Sequence, residues 1–328
     1  MRAVLRYRRI SHRWVVRGSR EDEGFPEPPI AIIPMLAFSD GDGGYSEVMV
    51  DSSPQILRLE EDYSERSLLP ADPVVGFLDH LIEDYGDEWV TKMMYHYRWH
   101  HLYGDAIAKA GNMLPLMSDN QMSPEQHGEI KDFITSRQMN RTALVGSTDN
   151  NRDVIETSFV RLLTTLETHL TENQFLLGNR PGRGDFGLFG QFSQLFFWEP
   201  DSSLIAARRS PRSVIWAYQL DDLSSLEVSE NEGWFTRNNL PESSLNLLTE
   251  IGRTYAPFLM ANEQAIAAGD PELSCLIEGH EYKQATFAYQ NKCLSWIREA
   301  FRELSTDNQQ AVKQILSGTG CEVLIADA

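Results

Sequence analysis

At Asp72-Pro73 the chain changes character, and this break constrains its fold more than any other feature. Beyond it, Val74, Phe77, Leu78, Leu81, Ile82, Tyr85, Trp89 and Met93 recur at helical spacing. Asp79, Glu83, Asp87 and Glu88 fall mostly on the opposite side. Before it, the pattern is one of short apolar runs and turn residues. The division predicts a small α/β domain over residues 1–69 followed by an all-helical domain over 70–328.

In the first part, Ile30–Phe38 is an apolar run interrupted by Pro34. A proline normally excludes a central strand position, so the expectation is a strand that starts at Pro34 after a bend, with a cis peptide as one way to make it. Asp40–Tyr45 reads as a turn and Glu47–Val50 as the returning strand of a hairpin. Asp51–Ser53 with Pro54 has the composition of a helix cap. Gly18–Pro29 is charged, rich in Gly and Pro, and reads as a loop.

The first twenty residues carry eight basic side chains and no acid before Glu21. Such a composition resembles a mitochondrial leader. The competing reading is an amphipathic helix over Met1–Ile10 feeding a strand at Arg13–Val16, with arginines snorkelling to water. In the second part, Ser123-Pro124-Glu125-Gln126 is a capping box with Pro in the first turn. Further helices are expected over Arg152–Leu170, Asp185–Phe197, Leu204–Leu220, Ser243–Ala268 and Tyr289–Leu304, with an inserted loop over Asp221–Leu240.

The net charge of −19 disfavours nucleic acid as a partner, since that demands a basic surface. No run is long and apolar enough for a membrane helix. Cys275, Cys293 and Cys321 match no metal spacing and read as reduced thiols in a cytoplasmic protein.

Four pieces of sequence resemble the glutathione S-transferase family, in particular bacterial members with an extended helical domain. Ile33-Pro34 resembles the family's step before the third strand of its thioredoxin-like sheet. Asp51-Ser52-Ser53 resembles its acid-plus-hydroxyl motif at the next helix start. Leu176 to Phe186 (LLGNRPGRGDF) is similar to its loop and buried helix start, with Gly182 in place of the capping hydroxyl and Asp185 kept; the reciprocal cap bond is expected to be lost. FLDHLIEDYGDEW, YHYRW and YAPFLMANEQAIAAG complete the likeness.

The resemblance implies a thioredoxin-like domain joined to a glutathione transferase-type helical domain. It also implies glutathione as co-substrate, with no other cofactor, held by Ile33 through its main chain, by Pro34, and by Asp51, Ser52 and Ser53 at a helix N-terminus. Tyr95 and Trp99 would line a pocket for a small hydrophobic electrophile, and the protein would be a homodimer. In the family's sheet the first strand precedes the turn that bears the catalytic Tyr, Ser or Cys. Met1 here aligns with the helix after that turn, so the expectation is that the first strand is missing and Met1 is an internal methionine.

The catalytic residue is accordingly unassigned. Tyr7 and Ser11 are hydroxyls lying after the expected turn. His96 and His100 stand four residues apart but lack an apparent third ligand, so no metal is expected. Arg180 and Arg183 could attract an anion, with a solvated loop as the plainer reading. The functional expectation is glutathione conjugation to an electrophile or a related glutathione-dependent reaction. The alternative is a non-catalytic binding or scaffold protein of the same fold, and a third reading is an imported mitochondrial helical protein.

Overall fold

In the computed structural model, the described residues are all but Glu23, Pro29, Asn231, Asp327, Ala328 and the Arg20 side chain. Parts of the loops expected over Gly18–Pro29 and Asp221–Leu240 therefore lie outside them. The chain opens with α1 (Arg2–Tyr7), then a hairpin of β1 (Met35–Ser39) and β2 (Tyr45–Val50), then α2 (Ser52–Asp62). Helices α3 (Pro73–Tyr85), α4 (Thr91–Trp99), α5 (Gly104–Ser118), α6 (Pro124–Met139), α7 (Thr142–Val145), α8 (Arg152–His169) and α9 (Arg183–Phe197) follow. A π-helical turn over Gly86–Val90 links α3 to α4. The remainder comprises α10 (Pro200–Arg209), α11 (Pro211–Leu220), α12 (Glu242–Ala268), a second hairpin of β3 (Glu272–Ile277) and β4 (His280–Ala285), α13 (Ala288–Arg302) and α14 (Thr306–Leu316). Among the described residues the molecule is thus mostly helical with two small antiparallel two-stranded sheets.

Several expectations meet their physical cause directly. Ile33-Pro34 is a cis peptide, and β1 begins immediately beyond it. The Asp51 and Asp72 carboxylates cap α2 and α3, and Ser123 with Gln126 forms a complete capping box on α6. The stretch expected as one helix over Leu204–Leu220 is two, because Pro211 has no N–H and holds Ser210 out of the helical region (φ −147°, ψ 69°).

Two expectations are corrected. Arg13–Val16 forms no strand; among the described residues β1 pairs only with β2, and Trp14 is 56% exposed beneath the Arg2 guanidinium. An aromatic, β-branched run without a neighbouring backbone has nothing to pair with. Residues 70–328 are not all-helical, since they contain β3 and β4. The polar side of α3 is covered by protein: Asp79 and Glu83 are buried, because α9 and the start of α2 lie over that face.

The apolar core is continuous across residue 70. Ala3, Val4, Leu5 and Tyr7 of α1 belong to it, and Tyr7 lies 6.0 Å from Phe186 of α9 between ring centroids. Helix α9 crosses the α3 segment at backbone contact. A Cβ on Gly86 would sit 2.8 Å from the Gly187 carbonyl carbon, and one on Gly187 would sit 3.0 Å from the Glu83 carbonyl oxygen. Only hydrogen side chains permit that approach. The crossing fixes the acidic face of α3 beside the first turn of α9. Among the described residues no helix is long and apolar enough to cross a membrane.

Candidate functional site

The start of α2 gathers the residues singled out by sequence. Asp51 must turn the chain from β2 into the helix, and does so at φ 75° and ψ 125°. For a residue with a Cβ this costs on the order of 1–3 kcal/mol and persists only where the surroundings enforce it. Here Tyr289, on α13, donates its hydroxyl to Asp51 Oδ2 at 2.5 Å, while Asp51 accepts the Ser53 N–H. The Ser52 hydroxyl points at Asp87 Oδ2 (3.4 Å) and the Ser53 hydroxyl donates to Glu83 Oε1 (3.0 Å).

Gln55, fully buried on α2, donates one amide group to the carbonyls of Pro34 (3.0 Å) and Met49 (2.8 Å). That single side chain fastens the proline step and the end of β2 to the helix. Ile33, just before it, is 79% exposed, and no hydrogen bond engages its main chain among the described residues. That backbone is open to pairing with an extended peptide.

The electrostatics of this corner are acidic. Burial drives Asp87 well above the ordinary carboxylate range, and Glu83, Glu88 and Asp84 beside it add to the effect. Asp84, which accepts the Tyr255 hydroxyl at 2.6 Å, is pushed up to about 7 by burial. Glu83 is raised by burial against the pull of Arg183, whose Nη1 lies 3.3 Å from Glu83 Oε2. Burial lowers the Lys92 amine to about 7; it bonds Gln284 Oε1 at 2.8 Å and sits 4.2 Å over the Phe258 ring. Carboxylates that crowd in low dielectric share protons rather than all ionise. Such a corner favours an ammonium group, while the serines and helix dipole favour a carboxylate.

The buried start of α9 departs from expectation in an informative way. Asp185 accepts the N–H groups of Leu176 (3.0 Å) and Gly182 (2.9 Å). Gly182 has no hydroxyl to return, but Asp79 reaches over from α3 and accepts the N–H groups of Arg183 and Gly184, both at 2.9 Å. A carboxylate from another helix supplies the missing cap. Arg180 and Arg183 are not in a solvated loop. Arg180 is buried, donates to the Tyr7 hydroxyl and to the carbonyls of Ser229 and Ser67, and covers the Trp234 ring at 4.0 Å. Internal carbonyls and carboxylates outbid solvent for both guanidinium groups.

Other residues from the sequence lie elsewhere. The Tyr95 hydroxyl, on α4, donates to Gln138 of α6, and Trp99 is buried. At 1.5 Å per residue, they stand about 12 and 18 Å along the helix from Asp87. Tyr7 is wholly buried in the core, and Ser11 is exposed. Burial raises all three thiols, Cys275 to about 11 and Cys321 to about 12, with Cys293 raised further by Asp84 and Glu88. None has the lowered pKa of a reactive thiolate. Gln55 and Tyr289 were missed by sequence reasoning; Tyr289 meets Asp51 across 238 positions, and no local signal connects them.

At the end of α4 a second cluster forms. His96 is fixed by Ser147 Oγ at Nδ1 (2.8 Å) and Glu156 Oε1 at Nε2 (3.3 Å), so the His96–His100 pair is not free to share an ion. His100 and His101 instead lie against each other, ring centroids 4.4 Å apart and planes tilted by 33°, and both present Nε2 to Asp149 Oδ1. Burial and the two neighbouring imidazoles lower His100 to about 4. The chain matches no family model, no curated protein and no solved structure.

Proposed function

We propose that this is a glutathione transferase-type protein that binds glutathione at the corner between Ile33-Pro34 and the start of α2, and joins its thiol to a hydrophobic electrophile. The observation that carries the reading is the pairing of an exposed, unengaged Ile33 main chain with the capped serine turn of α2, locked together by Gln55. The cysteinyl backbone of the tripeptide would pair with Ile33. Its γ-glutamyl carboxylate would meet Ser52, Ser53 and the helix dipole, and its ammonium the neighbouring carboxylates. The thioredoxin-like character of the first part, a homodimer and a cytoplasmic location belong to the same proposal. So does a hydrophobic pocket for the second substrate.

Calorimetric titration of glutathione into the full chain tests this. Saturable binding that weakens at least tenfold in Ser53→Ala, with the fold intact by circular dichroism, is expected. Absence of binding would sink the proposal. Turnover of glutathione with a chloronitrobenzene then separates conjugation from binding alone. One observation favours the second reading, a non-catalytic binding or scaffold protein. Tyr289 donates to a carboxylate and titrates above the ordinary range, the reverse of what activating a thiol requires. Binding without turnover would select that reading.

A further inference from the structure

We infer that His100, His101 and Asp149 form a binding site for a zinc-class divalent metal ion, independent of the glutathione corner. The case rests on geometry. His100 Nε2 and His101 Nε2 lie 3.4 and 3.5 Å from the same oxygen, Asp149 Oδ1, and the three ligand atoms all fall within 4.8 Å of one another. Those two separations are too long for good N–H···O hydrogen bonds, which cluster at 2.7–3.2 Å. They match the edges of a tetrahedron: ligands about 2.0–2.1 Å from a zinc ion are about 3.3–3.4 Å apart.

Local structure explains how two consecutive side chains come to one side. His100 ends α4 in an extended conformation (φ −68°, ψ 137°), and the chain turns again before α5, which leaves the two imidazoles side by side with their planes tilted by 33°. His96 lies under His100 with centroids 4.5 Å apart, and its own bonds to Ser147 and Glu156 make it a fixed wall. Asp149 sits on the loop between α7 and α8. Its neighbour Asn151 pins that loop, donating to the carbonyls of Gly146 (2.8 Å) and Lys283 (2.7 Å). The ligands thus project from anchored backbone. Nδ1 of His100 meets the Leu102 N–H only at 3.5 Å, too long to fix the ring's tautomer against metal binding.

The ligand set selects the ion. Two imidazoles and one carboxylate suit zinc and its transition neighbours rather than magnesium or calcium, which prefer oxygen. His100 is buried while His101 and Asp149 are 56% and 73% exposed on their side chains, so the ion enters from solvent and its fourth position is left to water. Once bound, it would clasp the end of α4 to the loop that leads into α8.

Zinc titrated calorimetrically into chelator-treated full chain, in excess magnesium, should show one site. His101→Ala and Asp149→Asn should each weaken it by at least the 10–100-fold typical of lesser perturbations around metal ligands. Both residues are exposed enough for the variants to fold, and His127→Ala should leave the site unchanged. Cobalt bound in place of zinc should give visible absorption of a tetrahedral nitrogen–oxygen site without a thiolate charge-transfer band. No zinc site under these conditions, a site unaffected by the His101 and Asp149 variants, or a thiolate band from cobalt would each overturn the assignment.

Discussion

Position 182 shows how far a single residue depends on one distant in sequence. The helix-start pattern calls for a hydroxyl there, and Gly182 breaks it. The fold is intact because Asp79 caps the same turn, occupying the space a side chain would need: a Cβ on Gly182 would lie 2.3 Å from Asp79 Oδ1. Restoring the preferred residue should therefore harm the protein. Gly182→Ser is expected to lower unfolding free energy by about 1–3 kcal/mol, as overpacking usually does, measured by urea denaturation. An unchanged or raised midpoint would refute this account of the cap. The sequence made the break at Gly182 plain. Asp79 was hidden because helical periodicity assigned it to the polar side of α3, and periodicity cannot tell a polar face in water from one against another helix's N-terminus.

Among the elements, capped helices were legible and the second hairpin was not. Asp72-Pro73 and Ser123 through Gln126 carry local chemistry that fixes where α3 and α6 start, so no tertiary information was needed. The β3–β4 hairpin had a weak signal of its own: Leu273, Cys275 and Ile277 fall at alternate positions before Glu278-Gly279, but the exposed Leu276 between the last two blurs the alternation. That dipeptide forms a two-residue turn with both φ angles positive (51° and 81°), pairing Ile277 with His280. Such turns favour Asn-Gly, and Glu278 carries a Cβ where φ is unfavourable. Glu278→Asn should raise stability by about 0.5–1 kcal/mol. A lower thermal midpoint would show that the glutamate has a role beyond the turn. The candidate site divides similarly: Ile33 to Ser53 was readable from turn and cap residues, while the covering groups on α3 and α13 depend on packing.

At the scale of the whole molecule, the buried carboxylates make stability depend on pH. Asp84 is raised from its ordinary range to about 7. Between roughly pH 4 and 7 the unfolded chain has released that proton and the folded chain retains it, so stability falls as pH rises through this window. Lys92, lowered to about 7, acts with the opposite sign and only above that window. Asp87, raised still further by burial, acts in the same direction as Asp84, and His100, lowered to about 4, opposes both. The expected outcome is a higher denaturation midpoint at pH 5 than at pH 7, with the difference reduced in Asp84→Asn. A midpoint that climbs between pH 5 and 7 in the parent, or an undiminished difference in the variant, would contradict it. The helices that hold these acids meet at Gly86 and Gly187 with main chain against main chain. Most helix crossings can be adjusted one methylene at a time, since a smaller or larger side chain shifts the spacing a little. This one has no such graded adjustment: the only available steps widen it by a whole side chain. The spacing of α3 and α9 is therefore a quantity that sequence drift can break but cannot tune, and variation in the surrounding corner must be absorbed by the hairpin and α2.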